Sequence, residues 1–225
     1  MVYISGIRII QILEIDEVNN IEKIFSKSNN VNDFASGYFK YLKKILDLID
    51  LDSLGRLANE FEETRREIKT IFVAGNGGSA ATATTMANDI GFDILKKAGI
   101  DEAFKVFALT DNTSVITAIA NDVGYENVFL NQLKIHYRQG DKLLVISASG
   151  NSVNLIRAAE WVKSRKGRVI GMLGFTGGKL RALCDVFVHI KSETGEYGPV
   201  EDAHLIINHI LAHWFQNKLK LSGKI

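Results

Sequence analysis

Five short apolar runs divide the middle of the chain into a regular alternation. They are rich in Val, Ile, Leu and Phe and occupy residues 71–74, 105–109, 142–147, 169–173 and 186–190. Between them lie segments typical of helices or turns, at residues 79–94, 113–122 with 127–136, 152–165 and 178–183. Strands that alternate with helices in this way form parallel sheets. The pattern therefore predicts a doubly wound α/β fold with five strands.

Helices are also predicted before and after this alternation. Apolar residues recur at helical spacing from about Asn32 onwards, and a second helix is predicted over residues 52–68, with Asp52 or Ser53 as its N-cap. A long amphipathic helix is predicted over residues 200–219, with Pro199 just before its start. Residues 2–15 alternate imperfectly and fit an edge strand, an amphipathic helix or an extension that packs on a partner chain. We therefore divide the chain into an N-terminal extension, 1–31, and a single domain, 32–225.

Composition and charge exclude several classes of function. The 225 residues are 46% hydrophobic and 24% charged, with a formal net charge of +1. These values are typical of a soluble globular protein and give no reason to expect nucleic acid or a membrane as a partner. The single cysteine, Cys184, rules out an intramolecular disulfide and lies among apolar neighbours, as an inert core thiol would. Because no signal peptide is recognisable, we expect a cytoplasmic protein.

Two loops of small residues follow the first and third predicted strands. One is Gly75-Asn76-Gly77-Gly78-Ser79, and the other is Ser147-Ala148-Ser149-Gly150-Asn151-Ser152. In an open parallel sheet such loops gather at the carboxyl ends of the strands, where ligands bind. Glycine lets the backbone approach a ligand closely, and serine hydroxyls and helix-start N–H groups donate hydrogen bonds to an anion. Together the loops predict a phosphate-binding site.

Three kinds of phosphate ligand are compatible with glycine-rich loops. A dinucleotide site matches the G-x-G-x-x-A pattern from Gly75, but it needs an acid about twenty residues further on, and Asp111 lies well beyond that distance. A nucleotide loop ending at Lys179 fails because Leu180 follows instead of Ser or Thr. A site for a sugar phosphate would use both loops, and it needs neither an acid about twenty residues further on nor a Ser or Thr after Lys179. We therefore favour a sugar phosphate, expect no nucleotide cofactor, and consider a dehydrogenase the weakest alternative.

Four motifs in order resemble the sugar isomerase (SIS) domain family. They are Gly75 to Ser79, Ala118-Ile119-Ala120-Asn121-Asp122, Ser147 to Ser152, and Glu201-Asp202-Ala203-His204 continuing to His209. The chain is most similar to the phosphoheptose isomerase branch, over about residues 32–219. The resemblance implies a three-layer sandwich with a flavodoxin-like sheet of five parallel strands. It also implies a homotetramer built on a helical bundle, with active sites shared between subunits.

The resemblance also implies roles for individual residues. The phosphate of the sugar would be held by Ser147, Ser149 and Ser152, and the sugar would be lined by Asn76, Gly77, Gly78 and Ser79. The hydroxyl groups of the sugar would be bound by Asn121 and Asp122. Judged by local pattern alone, Asn121 and Asp122 also fit a helix-ending turn before Gly124. The implied reaction is an aldose–ketose isomerisation, from sedoheptulose 7-phosphate to a heptose 7-phosphate.

An isomerisation of this kind needs groups that take and give protons around an enediol. Members of the family carry His and, four residues later, Glu on one helix, where this chain has Thr85 and Asp89. On the last helix they carry Gln and, eight residues later, His, where this chain has Glu201 and His209. In those isomerases the Glu and the second His are the catalytic pair, so the resemblance implies catalytic roles for Asp89 and His209. Glu201 carries a carboxylate where the family has an amide, so it could act as the base in place of Asp89. Without the resemblance, these residues also fit an exposed helix acid, a first-turn acid and a core histidine.

In the isomerases of the family the same four positions can bind zinc. Asp89, Glu201 and His209 could form a three-ligand zinc site with an open position, whereas Thr85 is a poor zinc ligand. The alternative function is a non-catalytic SIS scaffold, because some relatives use the same tetramer to bind proteins, one of them in replication initiation. The loss of histidine at Thr85 favours that class or a different sugar phosphate. The three serines, together with an acid and a histidine on separate helices, favour the isomerase.

Overall fold

The computed structural model describes residues 18–100 and 102–222. In this part of the chain the helices are α1 (Asn20–Ser26), α2 (Val31–Asp47), α3 (Leu51–Arg66), α4 (Gly78–Met86), α5 (Ile94–Ala98), α6 (Thr113–Val123), α7 (Val128–His136), α8 (Val153–Ser164), α9 (Leu180–Leu183) and α10 (Tyr197–Ser222). A π-helix, Ala87–Asp93, joins α4 to α5, and a 3₁₀ turn, Tyr125–Asn127, precedes α7. The expectations for residues 2–15 lie outside the described residues.

The strands form one parallel sheet. They are β1 (Thr70–Gly75), β2 (Lys105–Ala108), β3 (Lys142–Ser147), β4 (Arg168–Gly174) and β5 (Val186–Ile190), in the order β2-β1-β3-β4-β5. This is the flavodoxin-like order, with its switch point between β1 and β3. Each predicted strand is confirmed to within one residue at either end. The predicted α/β fold with five parallel strands and N-terminal helices is therefore confirmed.

Two apolar cores make this a three-layer structure. On one face of the sheet, buried residues of α2, α3, α4 and α10 pack together, among them Ile45, Phe61, Met86 and Ile207. On the other face, α7 and α8 pack against the sheet. Strand β3 contributes to both cores, with Leu144 and Ile146 in the first and Leu143 and Val145 in the second. A central parallel strand covered on both faces needs this continuous apolar run.

An ion-pair cluster fixes α3 beneath the amino ends of β3 and β4. The Lys142 ammonium is buried and lies 2.7 Å from a carboxylate oxygen of Glu60 and 2.5 Å from one of Glu63. The Arg168 guanidinium also pairs with Glu60. Because a buried charge is costly unless it is paired, these contacts fix the position of α3. The cluster lies at the edge of the sheet opposite to the two small-residue loops.

Two helix starts differ from the prediction. The N-cap of α3 is Asp50, whose side chain accepts a hydrogen bond of 3.0 Å from the Asp52 N–H, so the prediction of Asp52 or Ser53 was wrong. The last helix begins at Tyr197, which places Pro199 in its first turn. Proline is tolerated there because first-turn N–H groups have no partner within the helix. No helix among residues 18–100 and 102–222 has the length and apolarity to cross a membrane.

Helix α1 contacts the start of α10 through a buried acid. The Glu196 side chain is 1% exposed and accepts hydrogen bonds from Asn20 N at 2.7 Å and Asn20 Nδ2 at 2.9 Å. The Tyr41 hydroxyl donates to the same carboxylate, and burial together with this bond raises the pKa of Tyr41 well above its usual value. Residues of the predicted extension are therefore in contact with the domain.

The single cysteine of the sequence is partly buried, and this affects its ionisation. Burial raises the pKa of Cys184 to about 12, so this thiol stays protonated at neutral pH, as expected of an inert cysteine.

Candidate active site

The two small-residue loops lie side by side because β1 and β3 are neighbours. Gly75 pairs with Ile146 at the carboxyl ends of the two strands. Asn76 Nδ2 donates to Asn154 Oδ1 at 3.0 Å, and Asn154 Nδ2 donates to Asn76 Oδ1 at 2.9 Å. The Tyr125 hydroxyl also donates to Asn76 Oδ1, at 2.9 Å. The loop after β1 is thus tied to α8 and to the turn before α7.

The serine loop is shaped by its own hydroxyl groups. Ser147 Oγ accepts a hydrogen bond of 3.0 Å from the Gly150 N–H, and Ser149 Oγ accepts one of 3.3 Å from the Asn151 N–H. Ser152 precedes the first residue of α8, and its side chain makes no capping hydrogen bond. The start of a helix attracts anions through its free N–H groups and its dipole. The loop therefore offers hydroxyl and backbone donors to one small anion.

A second glycine turn supports the serine loop from behind. This turn follows β4, where the Gly177 N–H donates to the Gly174 carbonyl at 2.7 Å. Gly150 has a φ of +66°, and a Cβ at this position would lie 1.9 Å from the Gly177 carbonyl oxygen. The Leu180 N–H donates to the Gly150 carbonyl at 3.0 Å. The two loops therefore interlock, and only glycine fits at position 150.

A cavity of about 140 Å³ opens between the two loops and the start of α10. Of the predicted site residues, six line it: Asn76, Ser79, Ser147, Ser149, Ser152 and Glu201. Gly77 and Gly78 belong to the same first loop. Tyr197 also lines the cavity, and its ring packs edge-on against Phe175 with centroids 5.1 Å apart. The sequence-predicted phosphate and sugar residues are therefore largely brought together.

Glu201 carries the only carboxylate among the described residues that line this cavity. It lies against Gly78, the first residue of α4, where an added Cβ would be 2.2 Å from Glu201 Oε2. Burial, followed by the nearby Asp202 charge, raises the pKa of Glu201 above its usual value. Asp202 itself accepts a hydrogen bond of 2.5 Å from the Tyr38 hydroxyl. A carboxyl group with a raised pKa is suited to proton transfer near neutral pH.

Asp89 and His209 form a second group. Asp89 lies in the π-helix, and its Oδ2 is 3.6 Å from His209 Nε2. Asn208 Nδ2 donates to the same Asp89 oxygen at 2.8 Å, and Asn88 Nδ2 donates to Asp89 Oδ1 at 3.0 Å. The side chain of His209 is 51% exposed, whereas that of Asp89 is 18% exposed. A carboxylate beside an imidazole is a common acid–base pair.

The donor groups needed for zinc do not converge within one chain. Glu201 lies eight residues before His209 on α10, which corresponds to a rise of about 12 Å. Thr85 Oγ1 donates to the Ala81 carbonyl of its own helix at 2.9 Å. The part of the chain that the structure describes contains no group of three His, Cys, Asp or Glu side chains that could hold a metal ion. A single chain therefore does not fit the three-ligand zinc site suggested by the sequence.

Asn121 and Asp122 lie away from the cavity. Both are exposed in the last turn of α6, where Asn121 Nδ2 donates to Asp122 Oδ1 at 2.8 Å. Gly124, with a φ of +94°, follows the end of the helix. This arrangement is that of a helix-ending turn, the local alternative weighed from the sequence. Their role as hydroxyl ligands stays a prediction.

Four residues that line or support the cavity or contact Asp89 were not predicted from the sequence: Tyr125, Asn154, Tyr197 and Asn208. Asn154 had a weak signal, because it lies two residues after the serine loop and a buried asparagine near a helix start needs a partner. The other three had none, because their partners are distant in sequence. Tyr125, for example, reaches Asn76 across 49 positions. Such pairs depend on how the elements pack.

Comparison with known proteins relates these features to a family. The SIS domain family model matches residues 37–174. A phosphoheptose isomerase of Aneurinibacillus thermoaerophilus is 37% identical over 157 residues, covering 69% of this chain and 76% of the relative. One from a Nitratiruptor species is 38% identical over 149 residues, covering 66% and 77%. The structure of phosphoheptose isomerase GmhA from Neisseria gonorrhoeae matches with a TM-score of 0.73 and 27% identity, over 84% of this chain and 100% of that one.

Proposed function

The chain belongs to the SIS domain family, in its phosphoheptose isomerase branch, and we propose that it isomerises sedoheptulose 7-phosphate to a heptose 7-phosphate. The observation that carries this proposal is the shared cavity. Three serines that can hold a phosphate, Ser147, Ser149 and Ser152, line the same cavity as the carboxylate of Glu201. An anchored phosphate fixes the rest of the sugar relative to the proton-transferring groups, which is the main requirement of this reaction.

Substrate binding is proposed to use both loops. The serine hydroxyls and the first N–H groups of α8 hold the phosphate, and Asn76, Gly77, Gly78 and Ser79 line the sugar. The glycines allow the carbon chain to approach the backbone. Asn121 and Asp122 lie outside the cavity of their own chain, so we propose that they bind sugar hydroxyls in the site of a neighbouring subunit.

The proposed chemistry passes through an enediol. A base takes a proton from carbon 1 of the ketose while an acid protonates the oxygen of carbon 2. The proton of the carbon 1 hydroxyl is then removed and carbon 2 is protonated, which gives the aldose. We assign the carbon-bound proton to Glu201, whose carboxylate lines the cavity and whose pKa is raised by burial. Asp89 and His209 lie outside this cavity in their own chain, so we assign them to the transfers at the oxygens in the site of a neighbouring subunit.

Assembly into a homotetramer is part of the proposal. One face of α10 carries Ile210, 47% exposed, and Trp214, 57% exposed. His209 lies on this face and, with Ile206, His213 and Asn217, lines a shallow apolar cavity of about 510 Å³. Monomers rarely expose large apolar side chains in clusters. We propose that a second copy of the chain covers this face, which would place His209 at a subunit interface.

Three further expectations complete the proposal. The enzyme acts in the cytoplasm, the reducing compartment that suits its single thiol. Residues 1–31 form an extension to the SIS domain, which begins at about residue 32. A zinc ion on Asp89, Glu201 and His209 stays a prediction from the resemblance, and we assign it no step.

The test is a turnover assay on sedoheptulose 7-phosphate with purified protein, run after chelation with and without added zinc. We expect turnover in both conditions, which would make Asp89, Glu201 and His209 acid–base groups. Turnover only with zinc would make them ligands, completed by a neighbouring subunit. If the folded tetramer shows no turnover, and its unfolding midpoint does not rise with sugar phosphates, the protein is a scaffold and the proposal is wrong.

A further inference from the structure

Asn208 is a buried amide with an incomplete set of partners. The residue is 0% exposed within α10, between the buried apolar side chains of Ile207 and Leu211. Its Nδ2 donates to Asp89 Oδ2 at 2.8 Å, whereas its Oδ1 is buried without a hydrogen-bond partner. A buried polar atom that makes no hydrogen bond lowers stability. Leucine, which has a similar shape, would suit this position better for packing alone.

A residue that is unfavourable for stability often has a functional reason to be present. Within the described residues, the one side-chain hydrogen bond of Asn208 goes to Asp89. His209, the next residue along the helix, lies 3.6 Å from the same Asp89 oxygen. Two adjacent residues of α10, Asn208 and His209, therefore lie close to the same Asp89 oxygen. The amide holds the carboxylate where the imidazole can reach it.

Asp89 depends on this contact for its position. The other side chain that hydrogen-bonds to it, Asn88, is exposed and bonds to Oδ1 instead of Oδ2. Thr85, one turn earlier, uses its hydroxyl within its own helix. Among the described residues, Asn208 is therefore the one buried side chain that donates a hydrogen bond to Asp89. Without it, the short aspartate side chain would be free to turn towards solvent.

We propose that Asn208 is a positioning residue, which holds the Asp89 carboxylate beside His209 for proton transfer and does so at a cost in stability. The proposal rests on the proposed function, because it assigns Asp89 and His209 to the isomerisation. It adds to the reaction a residue, Asn208, that contacts neither the sugar nor the phosphate.

The test replaces Asn208 by leucine and compares stability with catalysis. In N208L we expect the unfolding midpoint to be unchanged or raised by a few degrees, because the buried Oδ1 without a partner is removed. We expect kcat to fall roughly tenfold or more while KM stays within about twofold, because a misplaced catalytic group affects the reaction more than substrate binding. The loss should disappear when Asp89→Asn is already present, because Asn208 acts through that carboxylate.

A matched control is available one turn earlier on the same helix. His204 is also 0% exposed, and the side chains that hydrogen-bond or pair with Asp89 are Asn88, Asn208 and His209 instead. His204→Leu should therefore leave kcat unchanged.

Two results would overturn the proposal on Asn208 while the proposed function stands: an N208L variant with wild-type kcat, or one whose unfolding midpoint falls. Absence of turnover in the wild type would instead overturn the proposed function and with it the catalytic part of this inference. The unfolding midpoint of N208L would then still decide whether Asn208 is kept at a cost in stability.

Discussion

Asn76 and Asn154 join the two ligand loops through a reciprocal pair of amide hydrogen bonds, of 3.0 and 2.9 Å. Asn154 is 3% exposed and lies in the first turn of α8, directly after the serine loop. Asn76 lines the cavity from the loop after β1. The pair therefore fixes the distance between the side that is proposed to bind the sugar and the side that is proposed to bind the phosphate.

Replacing Asn154 by leucine should loosen this connection. The change removes the two half-buried hydrogen bonds to Asn76 and the one that the Leu155 N–H donates to Asn154 Oδ1, and it leaves the Asn76 amide with fewer partners. We therefore expect a loss of about 1–3 kcal/mol in the free energy of unfolding. KM for the sugar phosphate should rise, because Asn76 is no longer fixed. Chemical denaturation and steady-state kinetics measure both effects. Asn59→Ala, at an exposed asparagine of α3, is the control and should change neither. An unchanged KM in N154L would separate this pair from substrate binding.

Replacing Gly78 by alanine should displace Glu201. The new methyl group would lie 2.2 Å from Glu201 Oε2, so the carboxylate must move. Because Gly78 begins α4, alanine suits the backbone, and the fold should be retained. We expect kcat to fall roughly tenfold to a hundredfold. Gly55→Ala is the matched control, since it lies within α3 and a Cβ there has nothing within 4 Å. Turnover of G78A at the wild-type rate would contradict the assignment of Glu201 as the base.

Separate replacements should distinguish the two carboxylates. Glu201→Gln removes the base from the cavity, and we expect a loss of roughly 10²- to 10⁴-fold in kcat. Asp89→Asn leaves the cavity intact and should cost less. Circular dichroism spectra of both variants check that the fold is retained. A larger loss in D89N than in E201Q would reverse the roles and make Asp89 the base.

His204 should make stability depend on pH. Burial lowers the pKa of His204 to about 3, whereas the ordinary value is 6.5. The unfolded chain therefore takes up a proton at this residue as the pH falls below about 6.5, and the folded protein does so only near 3. Stability is lost across this window, by about 2 kcal/mol at pH 5. His204→Leu should remove that part of the loss and have no such effect at pH 8. Parallel curves of unfolding free energy against pH for the two proteins would contradict this prediction.

Local pattern was sufficient to predict the strands and most helices. Strand β3 is a short run of six buried residues, a pattern typical of a central parallel strand. Both of its ends were predicted correctly. The N-cap of α3 was missed because Asp50, Asp52 and Ser53 are all good caps, and only the backbone decides which of them precedes the first helical residue.

The site was predictable where it follows single strands, and less so where helices cross. The serines and Asn76 follow β3 and β1, whose neighbouring positions in the sheet bring them together. Asn208 and Asp89 are 119 positions apart, and their contact depends on how α10 crosses the π-helix. The separation between Glu201 and His209 follows from their eight-residue spacing on one helix, whereas the contact of Asp89 with His209 does not follow from the sequence.

The π-helix at Ala87–Asp93 has a consequence for how such a site can change over evolutionary time. Its hydrogen bonds reach one residue further than those of an α-helix, so the segment accommodates an extra residue without breaking the helix. Deleting one residue there would let the backbone close into regular α-helix and rotate the following positions by about 100°. The acid would be carried away from its histidine with no change in residue type. We therefore expect deletion of one residue before Asp89 to lower the proposed activity.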